Sequence, residues 1–152
     1  MPDVFTKAKR SAVMALIHSR GNKATELRMI ALFRTHGITG WRRDARVFGK
    51  PDFVFPKHRL AVFVDGCFWH RCPKPGHSKL PGSNVEFWAA KLARNVARDR
   101  LVSRTLRKAG WLVARIWECD LPMGSRTASR ISRLLASAKA GKKPLRVARR
   151  GN

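Results

Sequence analysis

The spacing of apolar residues changes several times along the chain, and each change predicts an element. Between residues 6 and 20, Val13, Met14, Leu16 and Ile17 fall among basic residues and the run stops at Gly21, which predicts a short basic helix. Leu27, Ile30, Ala31 and Phe33 then form a helical stripe that Thr25 can cap and Gly37 can end in a left-handed conformation. From Trp41 to Val64 the period shortens. Asp52-Phe53-Val54-Phe55 and Leu60-Ala61-Val62-Phe63-Val64, set apart by Gly49-Lys50-Pro51 and Pro56-Lys57-His58-Arg59, predict two strands, the second buried on both faces. Residues 66 to 82 form a Cys/His/Pro/Gly-rich loop, too long to be ordered without a staple. Ser83 and Glu86 have capping-box spacing. Val85, Trp88, Leu92, Val96, Val102 and Leu106 follow at helical spacing up to Gly110. Trp111 to Trp117 predicts a last strand, residues 126–139 a last helix, and Lys142 to Arg150 a mobile basic tail. The fold class is therefore α/β or α+β, a central sheet covered by helices.

Composition narrows the partner. A hydrophobic fraction of 44% supports a packed core, and 152 residues suit one domain, expected over 1–140 with a tail at 141–152. Against 33 Lys+Arg stand 9 Asp+Glu, a net charge of +24, which repels itself unless a polyanion covers it. Nucleic acid is the first candidate. A membrane is disfavoured, because no long apolar run exists and no helix separates a basic from an apolar face. The N-terminus lacks an apolar segment of signal-peptide length, and three cysteines fit a reducing compartment, so a cytoplasmic protein is expected.

Cys67, Cys72 and His77 are spaced by five residues, and Cys119 lies just beyond the last strand. Three ligands from one irregular loop and a fourth from a strand end would make an economical structural zinc site; the alternative is buried cysteines beside a surface histidine. The few acids are also informative. Asp52 opens one strand and Asp65 closes the next, so paired strands bring both to one end of the sheet, with His70 five residues on and Glu26 on the second helix. Carboxylates with an imidazole suit hydrolysis of a phosphodiester, where a hard cation offsets phosphoryl charge and His70 accepts a proton. Both aspartates are equally at home in ordinary turns. Phe68, Trp69 and Trp88 are candidates for insertion between base steps, or for packing the loop.

The run Val62-Phe63-Val64-Asp65-Gly66-Cys67-Phe68-Trp69-His70-Arg71-Cys72-Pro73 resembles the signature of the very short patch repair (Vsr-type) mismatch endonucleases. Met1-Pro2-Asp3-Val4 with Lys9-Arg10-Ser11 and Met14, Lys50-Pro51-Asp52-Phe53, the stretch from Asn84 to Asp99, and Trp117-Glu118-Cys119 agree in order, so the resemblance covers about residues 3 to 121. It implies a PD-(D/E)XK nuclease core that nicks the thymine strand at T:G mismatches left by 5-methylcytosine deamination. It further implies Mg2+ on Asp52 and the Val64 carbonyl, His70 assisting the attacking water, and Asp65 and Glu26 in support. Structural Zn2+ would be held by Cys67, Cys72, His77 and Cys119. Phe68, Trp69 and Trp88 would wedge beside the mismatch, with Met14, on an N-terminal segment spanning 1–21, approaching from the other groove. The expected partner is double-stranded DNA and the expected state a monomer, with other mismatch-repair proteins as candidate partners. The alternatives are a related nuclease of other specificity and a non-catalytic zinc-containing DNA-binding protein.

Overall fold

The computed structural model describes residues 23–138; the expected first helix, Met14 and the basic tail lie outside them. The elements run α1 (Lys23–Thr35), β1 (Phe53–Phe55), β2 (Leu60–Asp65), α2 (Val85–Lys108), β3 (Leu112–Trp117) and α3 (Gly124–Ser137). The strands form one mixed sheet in the order β1-β2-β3, with β1 antiparallel and β3 parallel to β2. A parallel neighbour requires a long crossover, here the loop over residues 66–82 followed by α2.

Strand alternation assigns the two faces. Phe53, Phe55, Leu60, Val62, Ala114 and Ile116 join Met29 and Phe33 of α1 and Ile131 of α3 in the main core. Phe33 packs edge-on against Phe53 and Phe55 at centroid distances of 5.2 and 5.7 Å. On the other face Ala61 and Phe63 meet Val102 and Leu106 of α2. Asp65 continues this second series, so it faces α2.

The expected turns at Gly37 and Gly110 are present, with φ of 64° and 90°. Gly49 is more constrained: its φ is 79°, and an added Cβ would lie 2.2 Å from Val102 Cγ1, so the loop before β1 passes directly under α2. Two expected caps need correction. Among the described residues α1 already includes Lys23, placing Thr25 inside its first turn, where it is buried. The N-cap of α2 is Asn84 rather than Ser83; its left-handed φ of 54° turns the chain into the helix one residue later, with no side-chain capping bond. Asp52 lies just before β1 rather than within it. Among the described residues no helix is long and apolar enough to cross a membrane.

Candidate active site and metal centre

The long loop folds back on itself through short backbone bonds. His70 N donates to the Gly66 carbonyl at 3.1 Å and Cys72 N to the Cys67 carbonyl at 2.9 Å. Ser78 Oγ ties the second half to the Cys72 carbonyl. This brings Cys67, Cys72 and His77 to Cys119, in the 3-10 turn after β3, with all four ligand atoms within 4.8 Å of one another. Cys72 Sγ is 3.9 Å from Cys119 Sγ and 3.8 Å from His77 Nδ1. A tetrahedron with zinc–sulfur bonds of ~2.3 Å has edges of ~3.8 Å, so the donor set fits that ion. Burial, together with the neighbouring sulfurs, pushes the Cys67 thiol up to about 12, a cost that a divalent cation would reverse. Lys74 Nζ lies 3.3 Å from Cys119 Sγ and pairs with Asp120, a cation beside a group of three thiols.

A second group forms where the loop meets α2: Asp65, His70 and Asp99 also have ligand atoms within 4.8 Å of one another. His70 Nδ1 is 2.5 Å from Asp99 Oδ2 and 3.8 Å from Asp65 Oδ1. Arg115 of β3 holds both acids. It donates to Asp65 Oδ1 and Oδ2 at 3.0 and 3.1 Å and to the Asp99 carbonyl at 3.2 Å, and its guanidinium lies 4.3 Å from the Phe63 ring centroid. Burial raises the Asp65 carboxyl above its ordinary 3.8, opposed by the charges of His70 and Arg115. Asp52 approaches from β1, accepting a hydrogen bond from Val64 N at 2.7 Å. The expected pairing of strand ends thus puts Asp52 against the residue before Asp65. Glu26 is not part of this group; it is held in an ion pair with Arg43.

Trp69 and Trp88, each 8% exposed, pack with Leu92 and the half-buried Phe68 in a cluster of their own. Phe68 lies 5.1 and 5.6 Å from the two indoles, and Asn95 of α2 pins the Trp69 carbonyl. These rings therefore pack the loop onto α2, and Trp69 and Trp88 must leave the cluster to reach anything outside it. Beside them Phe87 is 56% exposed.

Two participants escaped sequence reasoning. Asp99 carried a signal, as a lone acid between Val96 and Val102 on the apolar stripe of α2. Arg115 carried another, as a charge on the β3 face occupied by Val113.

Known proteins show related chains. Residues 2–74 match the family model described as DNA mismatch endonuclease Vsr. The type II nicking enzyme V.NmeAIP of Neisseria meningitidis serogroup A is 40% identical over 91% of this chain and 98% of its own length. The DNA mismatch endonuclease Vsr of Escherichia coli K12 is 40% identical over 80% of this chain and 76% of its own. The type II nicking enzyme V.XorIIP of Xanthomonas oryzae is 39% identical over 80% and 78% respectively. With the metal loop and the strand-end acids in place, these likenesses establish that the chain belongs to the Vsr DNA mismatch endonuclease family.

Proposed function

We propose that this protein nicks the thymine strand of double-stranded DNA at T:G mismatches by magnesium-dependent phosphodiester hydrolysis on a PD-(D/E)XK-type core. The observation that carries the proposal is the Asp52–Val64 hydrogen bond, which holds a carboxylate against the residue before Asp65, itself a member of the Asp65–His70–Asp99 group. Asp52 and the Val64 carbonyl are hard oxygen donors suited to Mg2+, with Asp65 and Glu26 in support. Magnesium bound there supplies positive charge to the phosphoryl oxygens and acidifies water. The chain's own part is proton handling and orientation. Asp99 engages His70 Nδ1, which leaves Nε2 to take the proton of the attacking water as its oxygen bonds phosphorus and one P–O bond breaks. Structural zinc on Cys67, Cys72, His77 and Cys119 keeps His70 in register. Phe68, with Trp69 and Trp88 behind it, enters the duplex where a mismatch makes unstacking least costly.

The test is a nicking assay on labelled duplexes that carry T:G, another mismatch or full pairing, with and without added magnesium. Cleavage confined to the thymine strand of T:G, abolished in Asp52→Ala while DNA binding persists, is the expected result. Equal cutting of every duplex would point to a nuclease of other specificity, and binding without cleavage to a zinc-containing DNA-binding protein.

A further inference from the structure

Beside the Asp65–His70–Asp99 group lies a cavity of about 720 Å³, one wall of which is basic. That wall is formed by Arg100, Arg104, Arg107 and Lys108 of α2, all exposed. On a helix these positions, offset by four, seven and eight residues, fall along one stripe. Like charges at that spacing repel and destabilise an isolated helix. None of the four has an ion-pair partner among the described residues, because the nearby acids, Asp65 and Asp99, are held by Arg115 and His70. Arg107 and Lys108 gain from the dipole at the helix C-terminus, but Arg100 and Arg104 lie too far inside α2 to share that benefit. No acid among the described residues compensates this stripe, which leaves it open to an external polyanion.

We infer that this stripe is a track for the sugar-phosphate backbone of duplex DNA, seating one strand along α2 next to the proposed hydrolytic group. From Arg100 to Lys108 the helix rises about 12 Å at ~1.5 Å per residue. At an axial spacing of ~3.4 Å per strand, that length meets three or four successive phosphates. Guanidinium groups suit the task, since each can grip a phosphate through two parallel N–H donors. The track rests on the DNA-binding part of the function proposed above and not on its chemistry.

The test measures binding of the full chain to a short synthetic duplex, matched or carrying T:G, by fluorescence anisotropy without divalent cations. The double variant Arg104→Gln/Arg107→Gln is compared with Arg126→Gln/Arg133→Gln, an equal loss of charge on α3, across the sheet. The slope of log K against log salt is expected to fall by about two for the α2 pair, and affinity on the order of tenfold or more. The α3 pair should change the slope by less than half as much. Equal changes in the two variants, or none in the α2 pair, would overturn the track. If the two variants differ in this way while the wild-type chain cuts no duplex, the proposed chemistry falls and the track stands.

Discussion

The two faces of the β2 strand are made from alternate residues of one six-residue segment, yet they differ in kind. Leu60, Val62 and Val64 look toward α1 and α3 and meet an apolar layer of Phe33, Phe53, Phe55 and Ile131. Ala61, Phe63 and Asp65 look toward α2, and along that direction the surface passes from apolar packing at Val102 and Leu106 to the charged group of Asp65, Asp99, Arg115 and His70. Because the period of a strand is two, stability and chemistry are assigned to opposite sides of the same backbone and can be altered separately. The apolar face rests on helices and a strand ladder. The charged face depends in addition on a loop without either, for which the proposed zinc on Cys67, Cys72, His77 and Cys119 is the expected staple.

Removing the metal should therefore separate the faces most widely. Structural zinc sites are worth roughly 10–16 kcal/mol in small zinc-dependent peptides, comparable to the whole stability of a domain. Chelation, or Cys119→Ser, is expected to release one zinc per chain and to strip hydrogen-exchange protection from residues 66–82, while α1 and β2 keep theirs. A loop that stays protected in protein free of metal would show that the four ligands are not its staple.

A reciprocal pair of substitutions tests the separation more sharply. Phe33→Ala empties a fully buried ring site contacted by Phe53 and Phe55 and should cost about 3–5 kcal/mol, with nicking per folded molecule retained. His70→Ala should do the opposite, lowering nicking by roughly 10²- to 10⁴-fold, the range for loss of a general base, with little change in melting temperature. If the two variants lost stability and activity in the same proportion, the faces would not be independent.

Which parts were legible in the sequence follows from the same contrast. The apolar stripes of α1 and α2 and the runs of β1 and β2 are local patterns, and each of these four elements appears within a few residues of its expected place. The strand-end meeting of Asp52 with the Asp65 segment was legible from pairing alone, and the convergence of Cys67, Cys72, His77 and Cys119 from their residue types and spacing. Asp99 and Arg115 were not found, because they reach the site from α2 and β3, 34 and 50 residues beyond Asp65, and only the parallel crossover brings them there. The caps at Thr25 and Ser83 were misplaced for the converse reason: a cap depends on one or two backbone angles, such as the left-handed φ at Asn84, that no periodicity encodes.

Arg115 gives the finest test, because it touches both kinds of interaction within one side chain. It stacks on Phe63 of the apolar segment and neutralises Asp65 and Asp99 at the charged end. Arg115→Met keeps much of the volume and removes the charge, leaving Asp65, 3% exposed, beside a second carboxylate. Breaking a buried pair by deleting one partner costs on the order of 3 kcal/mol. The pH dependence identifies the cause. Burial already holds the folded-state pKa of Asp65 above 3.8, and loss of the guanidinium raises it further. A carboxyl with a raised folded-state pKa favours the folded state below its unfolded pKa and loses that contribution as pH rises through the folded value. The penalty in Arg115→Met should therefore be largest near neutrality and shrink as acid protonates Asp65 toward pH 3.8. Urea denaturation of both proteins across that interval measures it; a penalty independent of pH would mean that Arg115 acts through its contact with Phe63 rather than through the acids.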